Sequence, residues 1–132
     1  MSREISKLSP YMQAKAKEFL SQCRLESLDI VIICTDRSNA EQAECFARGA
    51  TRARPGESAH NVCDDLGRPA AEAFDIAVIR HGKYIGDGND KDYLRAGQIG
   101  EDLGLVWAGR WIKMTEVAHF QSPTFGKEPP RK

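Results

Sequence analysis

The run Ile30-Val31-Ile32-Ile33-Cys34-Thr35-Asp36-Arg37-Ser38-Asn39-Ala40-Glu41 decides how the chain is read. Its first five residues are continuously apolar and mostly β-branched, which is the pattern of a buried strand. Thr35-Asp36-Arg37 leaves the strand. Ser38, with Glu41 three residues later, then predicts a capping box that opens a helix running to about Gly49. Arg37 therefore sits at a strand-to-helix junction, where functional side chains are frequent.

Upstream, Ser9-Pro10 predicts a helix start, with Ser as the cap and Pro in the first turn. Leu8, Met12, Ala16, Phe19, Leu20 and Cys23 then recur at helical spacing, as a surface helix packing one face on a core requires. Downstream, residues 50–72 form a long irregular loop, and such loops are usually functional or disordered. Residues 74–79 read as a strand that is apolar apart from Asp75. His81-Gly82-Lys83 turns it into a hairpin returning through Tyr84-Ile85. Gly86-Asp87-Gly88-Asn89-Asp90 reads as a turn rather than a calcium loop, since it lacks the closing Glu. A third helix is expected from about Lys91 to Leu103, ending at Gly104. Short strands follow at 105–107 and 117–120. Helices mixed with a hairpin predict an α+β domain with a mainly antiparallel sheet. The domain is expected over residues 1–121, with 122–132 as a flexible C-terminal tail.

The chain has 132 residues, enough for one domain without disulfide staples. Hydrophobic residues are 41% and charged residues 29%, which argues against wholesale disorder and against a fibrous chain. Nineteen Lys and Arg balance nineteen Asp and Glu, so the basic excess of a nonspecific nucleic-acid binder is missing. No apolar run approaches ~20 residues, so no membrane insertion is expected. The N-terminus lacks the apolar segment of a secretory signal, and synthesis in the cytoplasm is expected. Cys23, Cys34, Cys45 and Cys63 fit no zinc-finger spacing and are expected to be free thiols. Cys23, Cys34 and Cys45 read as small hydrophobes on apolar faces.

A carboxylate inside a hydrophobic strand costs several kcal/mol unless it is compensated. For Asp75 a salt bridge to an Arg is one solution and a metal ion is another. Zinc takes nitrogen and oxygen ligands, and a catalytic site leaves one position open for water. His60, Asp75 and His119 would supply three ligands from a loop and two strands. Glu116, three residues before His119, could take a proton from the attacking water and return it to a leaving amine. Arg37 could donate to a carbonyl oxygen as it gains negative charge.

Six segments, in order, carry a family resemblance. They are Leu8-Ser9-Pro10-Tyr11-Met12, Thr35 to Gln42 as T-x-R-S-x-x-E-Q, and Ser58-Ala59-His60 as S-x-H. Then come Ala73-Phe74-Asp75 as A-x-D, Leu103 to Trp111 as a variant of L-G-L-x-W-G-G-x-W, and Glu116 to Phe120 as [DE]-x-x-H-F. Over about Ile5 to Gln121 the chain resembles the zinc D-alanyl-D-alanine carboxypeptidases and L-alanyl-D-glutamate endopeptidases of the Hedgehog-like fold, most of all their short phage endolysin forms. The resemblance implies Zn2+ held by His60, Asp75 and His119, Glu116 as catalytic base and Arg37 as the stabiliser of the carbonyl. It implies Ser58 and Gln42 as supporting or substrate contacts, and Trp107 and Trp111 walling the cleft or packing under it.

The implied substrate is the peptidoglycan stem peptide. The implied reaction is L-alanyl-D-glutamate hydrolysis by a monomer, reaching the wall from the periplasm once the membrane is permeabilised during host lysis. Removal of terminal D-alanine, or a non-catalytic zinc-containing binding module, are the alternatives. The family pattern sets the Asp seven positions after the His, whereas here an apparent insertion including Cys63 to Pro69 separates His60 from Asp75. Asp64 and Asp65 therefore compete with Asp75, which is preferred because a strand fixes it. Cys63, close to the expected metal, reads as a bystander. Asp36 stands where relatives often carry Tyr, and it would pair with Arg37 or face solvent. Ala108 stands where relatives often carry Gly. His81 reads as a solvent-facing turn residue, and Arg52, Arg54 and Arg68 as solvated loop charges.

Overall fold

The structure, a computed structural model, describes residues 1–51 and 53–125. Helix α1 spans Pro10–Leu25, and the Ser9 side chain accepts from the Met12 amide at its N-terminus. Strand β1 is Ile30–Cys34, and helix α2 is Asn39–Ala47 behind the expected capping box of Ser38 and Glu41. Strand β2 is Ala73–Arg80, and β3, Lys83–Ile85, returns from it through His81 and Gly82, both at positive φ. Helix α3 is Lys91–Asp102, capped by the Asp90 side chain. Strands β4, Val106–Trp107, and β5, His119–Gln121, complete the sheet.

All strand pairs are antiparallel, in the order β1-β2-β5-β4, with β3 paired to the far end of β2. The α+β, mainly antiparallel architecture is therefore the one expected. One face of the sheet packs on α1 and α3. Phe19 of α1 meets Phe74 of β2 at 5.5 Å and Phe120 of β5 at 4.9 Å between ring centroids, with all three rings buried. Burying such a ring contributes about 2–3 kcal/mol. Helix α3 comes close because it carries glycine where it meets the aromatic rings. A Cβ on Gly97 would lie 2.2 Å from the Trp107 ring, and one on Gly100 would lie 2.5 Å from the Phe120 ring. Glycine inside a helix costs about 1 kcal/mol, and the close approach offsets it.

Three expectations are corrected. Strand β1 is not buried throughout. It lies at the sheet edge, paired with β2 alone, and Val31 is 42% exposed. The last strand starts at His119 rather than Val117, because the Glu116 carbonyl accepts from the His119 amide and holds the preceding residues in a turn. The chain also stays folded past the expected tail boundary at Ser122, through to Phe125, as the turn described below shows. The rest of the expected tail, residues 126–132, and Arg52 lie outside the described residues. No described helix is long and apolar enough to cross a membrane.

Candidate active site

The other face of the sheet carries the polar residues. Strand register decides which ones meet. Asp75 of β2 pairs with His119 of β5 on one side and with Cys34 of β1 on the other, beside an irregularity in β1. Directly opposed residues in neighbouring strands place their side chains on one face within contact distance. Cys34, Asp75 and His119 thus form a row across three strands.

His60 reaches this row from a 3₁₀ turn, Ala59–Asn61, whose N-cap is Ser58. That turn is fastened on both sides. The Arg37 amide donates to the His60 carbonyl at 3.0 Å, the Asn61 side-chain amide to the Arg37 carbonyl at 2.8 Å, and the Glu72 amide to the Ala59 carbonyl at 2.9 Å. Between those anchors, residues 62–70 form a closed hairpin. The Ala70 amide donates to the Val62 carbonyl and the Asp64 amide to the Arg68 carbonyl. The chain leaves and returns to the same place, so the long separation of His60 and Asp75 costs the site nothing in geometry. Asp64 is spent on that hairpin, accepting from the Leu66 and Arg68 amides and pairing with the Arg68 guanidinium. Asp65 and Cys63 are exposed on it.

Asp75 Oδ1 receives both imidazoles, His60 Nε2 at 3.2 Å and His119 Nδ1 at 2.8 Å. The outer nitrogens are already engaged. His60 Nδ1 faces the Thr35 carbonyl at 2.7 Å, and His119 Nε2 faces Gln121 Oε1 at 2.7 Å. Both outer partners are acceptors, so the network assigns the ring protons to the outer nitrogens. A cation shared by the inner nitrogens and the carboxylate, a proton or a metal ion, completes this arrangement, which is common in metal-binding histidines. The donor set therefore fits a divalent ion.

The same electrostatics appear as proton affinity. Burial opposes the charged form of His60, but the charge and hydrogen bond of Asp75 outweigh it and push the imidazole up to about 10. Burial likewise opposes the Asp75 anion, yet the two imidazoles hold it far below the usual carboxylate range.

Cys34 corrects the sequence reading, which took it for a small hydrophobe. Its thiol lies 3.8 Å from His60 Nδ1, and Cys34, His60 and Asp75 can bring one donor atom each within 4.8 Å of one another. Two donor sets thus share His60 and Asp75, one closed by His119 and one by Cys34. Periodicity along β1 carried no trace of this, because the pairing of Cys34 with Asp75 is a property of register.

The Arg37 guanidinium lies 3.7 Å from Asp75 Oδ2 and donates to Gln42 Oε1 at 2.9 Å. Among the described residues its ion-pair partner is Asp75, not the neighbouring Asp36. Gln42, expected as a supporting or substrate contact, is fully buried, its amide donating to the Ala53 carbonyl at 2.8 Å. Glu116 is partly buried, and desolvation raises its carboxyl above the usual range, with the neighbouring imidazoles opposing. Arg37, Ser58, His60, Asp75, Trp111, Glu116 and His119 all line one cleft of about 330 Å³. Ser58 also accepts from the His60 amide, and the Trp111 ring stands 5.5 Å from the His119 ring. Trp107 takes the other expected place, packed beneath. It is buried between Gly97 and Gly109, with its indole N–H donating to the Val117 carbonyl at 2.8 Å. His81 is exposed in its turn, Arg54 lies over the Phe46 ring, and Asp90 pairs with Arg80 as well as capping α3.

No family model matches the chain. Peptidoglycan L-alanyl-D-glutamate endopeptidase CwlK of Bacillus subtilis (strain 168) is 30% identical over 126 residues, covering 88% of this chain and 74% of the relative. The crystal structure of the Serratia marcescens L-Ala D-Glu endopeptidase ChiX superposes with a TM-score of 0.67 at 18% identity. That match covers 89% of this chain and 82% of the other, and it shows a shared fold.

Proposed function

The chain belongs to the peptidoglycan peptidase family that includes the L-alanyl-D-glutamate endopeptidases, and from that premise we propose that it hydrolyses the L-alanyl-D-glutamate bond of the stem peptide. The observation that carries the proposal is the convergence of His60, Asp75 and His119 at one carboxylate oxygen, with Glu116 and Arg37 in the same cleft.

We take the ion to be zinc, held by His60 Nε2, Asp75 and His119 Nδ1. The Thr35 carbonyl already engages the His60 nitrogen that faces Cys34, which favours this set over the one closed by Cys34. When bound, zinc acidifies water and polarises a carbonyl. Glu116 accepts a proton from the attacking water and returns it to the departing amine, a role that suits a carboxyl raised by burial. Arg37, steadied by Gln42, donates to the carbonyl oxygen as negative charge develops there. Thr35 and Gln121 hold the two imidazole rings in the required orientation. The endolysin role, a monomer reaching the wall from the periplasm of a permeabilised host, extends this reading and rests on the resemblance to short phage forms.

The test is mass spectrometry of purified peptidoglycan digested with and without a chelator. New N-terminal D-glutamate, abolished by the chelator, is expected. Released D-alanine would instead make the protein a carboxypeptidase. No cleavage by a folded, zinc-loaded sample would make it a binding module.

A further inference from the structure

Phe125 lies beyond the last strand, in the segment read from sequence as a loose tail, yet it lines the cleft. The placement is built. Ser122 is 1% exposed, and its amide donates to the Glu72 carbonyl at 2.8 Å, which ties the chain to the start of β2. The Ser122 hydroxyl contacts Thr124 Oγ1 at 2.8 Å and accepts from the Thr124 amide at 3.2 Å. The Phe125 amide closes the turn on the Ser122 carbonyl at 3.1 Å. The turn brings back a large aromatic side chain that stays only partly buried, on the same cleft as Trp111. The two rings join Ala53 and Ala59 as the apolar part of a lining that also offers polar groups from Thr51, Ser58 and Glu57.

A bond between L-alanine and D-glutamate has the same division, an apolar methyl on one side and a carboxylate on the other. We propose that Phe125 is a specificity-determining residue that packs against the methyl group of the alanine preceding the scissile bond. This rests on the hydrolysis proposed above for the same cleft. Phe125 touches none of the reacting atoms in this assignment, so it acts on substrate affinity and selection rather than on the proton transfers of Glu116.

The experiment compares steady-state hydrolysis of a synthetic stem peptide beginning L-alanyl-D-isoglutamate with that of its glycyl analogue, using zinc-loaded wild type, Phe125→Ala and Phe125→Tyr. One methyl group in an apolar subsite is worth about 10-fold or more in kcat/KM. Wild type is expected to prefer the alanyl peptide by about that factor. Phe125→Ala is expected to raise KM for the alanyl peptide about 10-fold, change kcat by less than about 3-fold, and lose most of the preference over glycine. Phe125→Tyr, which keeps the ring, is expected to restore both values.

Phe125→Ala with wild-type KM and wild-type preference would overturn the assignment while leaving the proposed hydrolysis standing. A parallel loss of kcat and bound zinc in Phe125→Ala would also overturn it, since that is the mark of a structural residue. Wild type that neither cleaves the alanyl peptide nor binds it in calorimetry would overturn both readings, and it is recognised without any variant.

Discussion

Asp75 is the residue on which the site turns, because one of its oxygens meets both imidazoles and the other faces Arg37. Asp75→Ala is expected to abolish stoichiometric zinc binding, whereas Asp64→Ala is expected to retain it, since Asp64 closes the 62–70 hairpin. Metal content after gel filtration decides between them. Glu116→Ala is expected to keep zinc and lose about 10²–10⁴-fold in kcat, as removal of a general base does. Arg37→Ala is expected to lower kcat about 10²-fold with metal content unchanged, the cost of losing one donor to a developing oxyanion. Equal loss of metal and turnover would make Arg37 a structural partner of Asp75. These residue types were legible in sequence because a carboxylate within an apolar strand and a Glu three places before a His are local features. The placement of Cys34 beside His60 and Asp75 and of Phe125 in the cleft was not, since each depends on contacts between segments distant in sequence.

At the scale of elements, glycines decide how closely α3 approaches the sheet. Gly97 and Gly109 flank the Trp107 ring, and a Cβ on either would lie 2.2 Å from it. Gly97→Ala is expected to destabilise the fold by about 1–3 kcal/mol through overpacking, despite its better helix propensity. Urea unfolding measures this, and a stabilised variant would show that the indole can shift. The ring also ties to Val117 just before His119, so the variant is expected to weaken zinc binding as well. The first two helix starts were readable from their caps, because Ser9 and Ser38 satisfy amides within their own first turns, and the third, expected from about Lys91, is capped by Asp90. The edge position of β1 was not readable, because it depends on which strand lies alongside, and the later start of β5 was not, because the turn between Glu116 and His119 carries no signature in residue type.

For the whole molecule, the polar face of the sheet gathers charges that a cation would stabilise, so zinc should contribute to folding. Chelation is expected to lower Tm by several degrees in wild type and to leave Asp75→Ala unaffected, since an ion stabilises only the state that binds it. At the opposite end of β2, Arg80 pairs with Asp90 and Asp92. The Arg80 hydrogen bond holds Asp90 at about 2, below the usual carboxylate value. A depressed carboxyl stabilises the fold above its ordinary value of about 4 and loses that contribution as the pH falls toward about 2. The stability difference between wild type and Arg80→Gln is accordingly expected to be full near neutrality and to vanish in strong acid, as acid-titrated denaturation curves would report.

Local physics settled the elements. Alternation, caps and turn residues act over a few positions, and they determined the three helices, the β2–β3 hairpin and the chemical character of the candidate ligands. The antiparallel class was expected from the β2–β3 hairpin, and the other strand pairs, joined by longer connections, share it. Tertiary structure decided which side chains share a face. Pairing Asp75 with His119 on one side and Cys34 on the other is a matter of register, and register is set by the packing of Phe19, Phe74 and Phe120 on the opposite face. The 62–70 hairpin and the Ser122–Phe125 turn close on local hydrogen bonds, but where they attach was decided by tertiary structure, through the bonds of Glu72 to Ala59 and of Ser122 to Glu72.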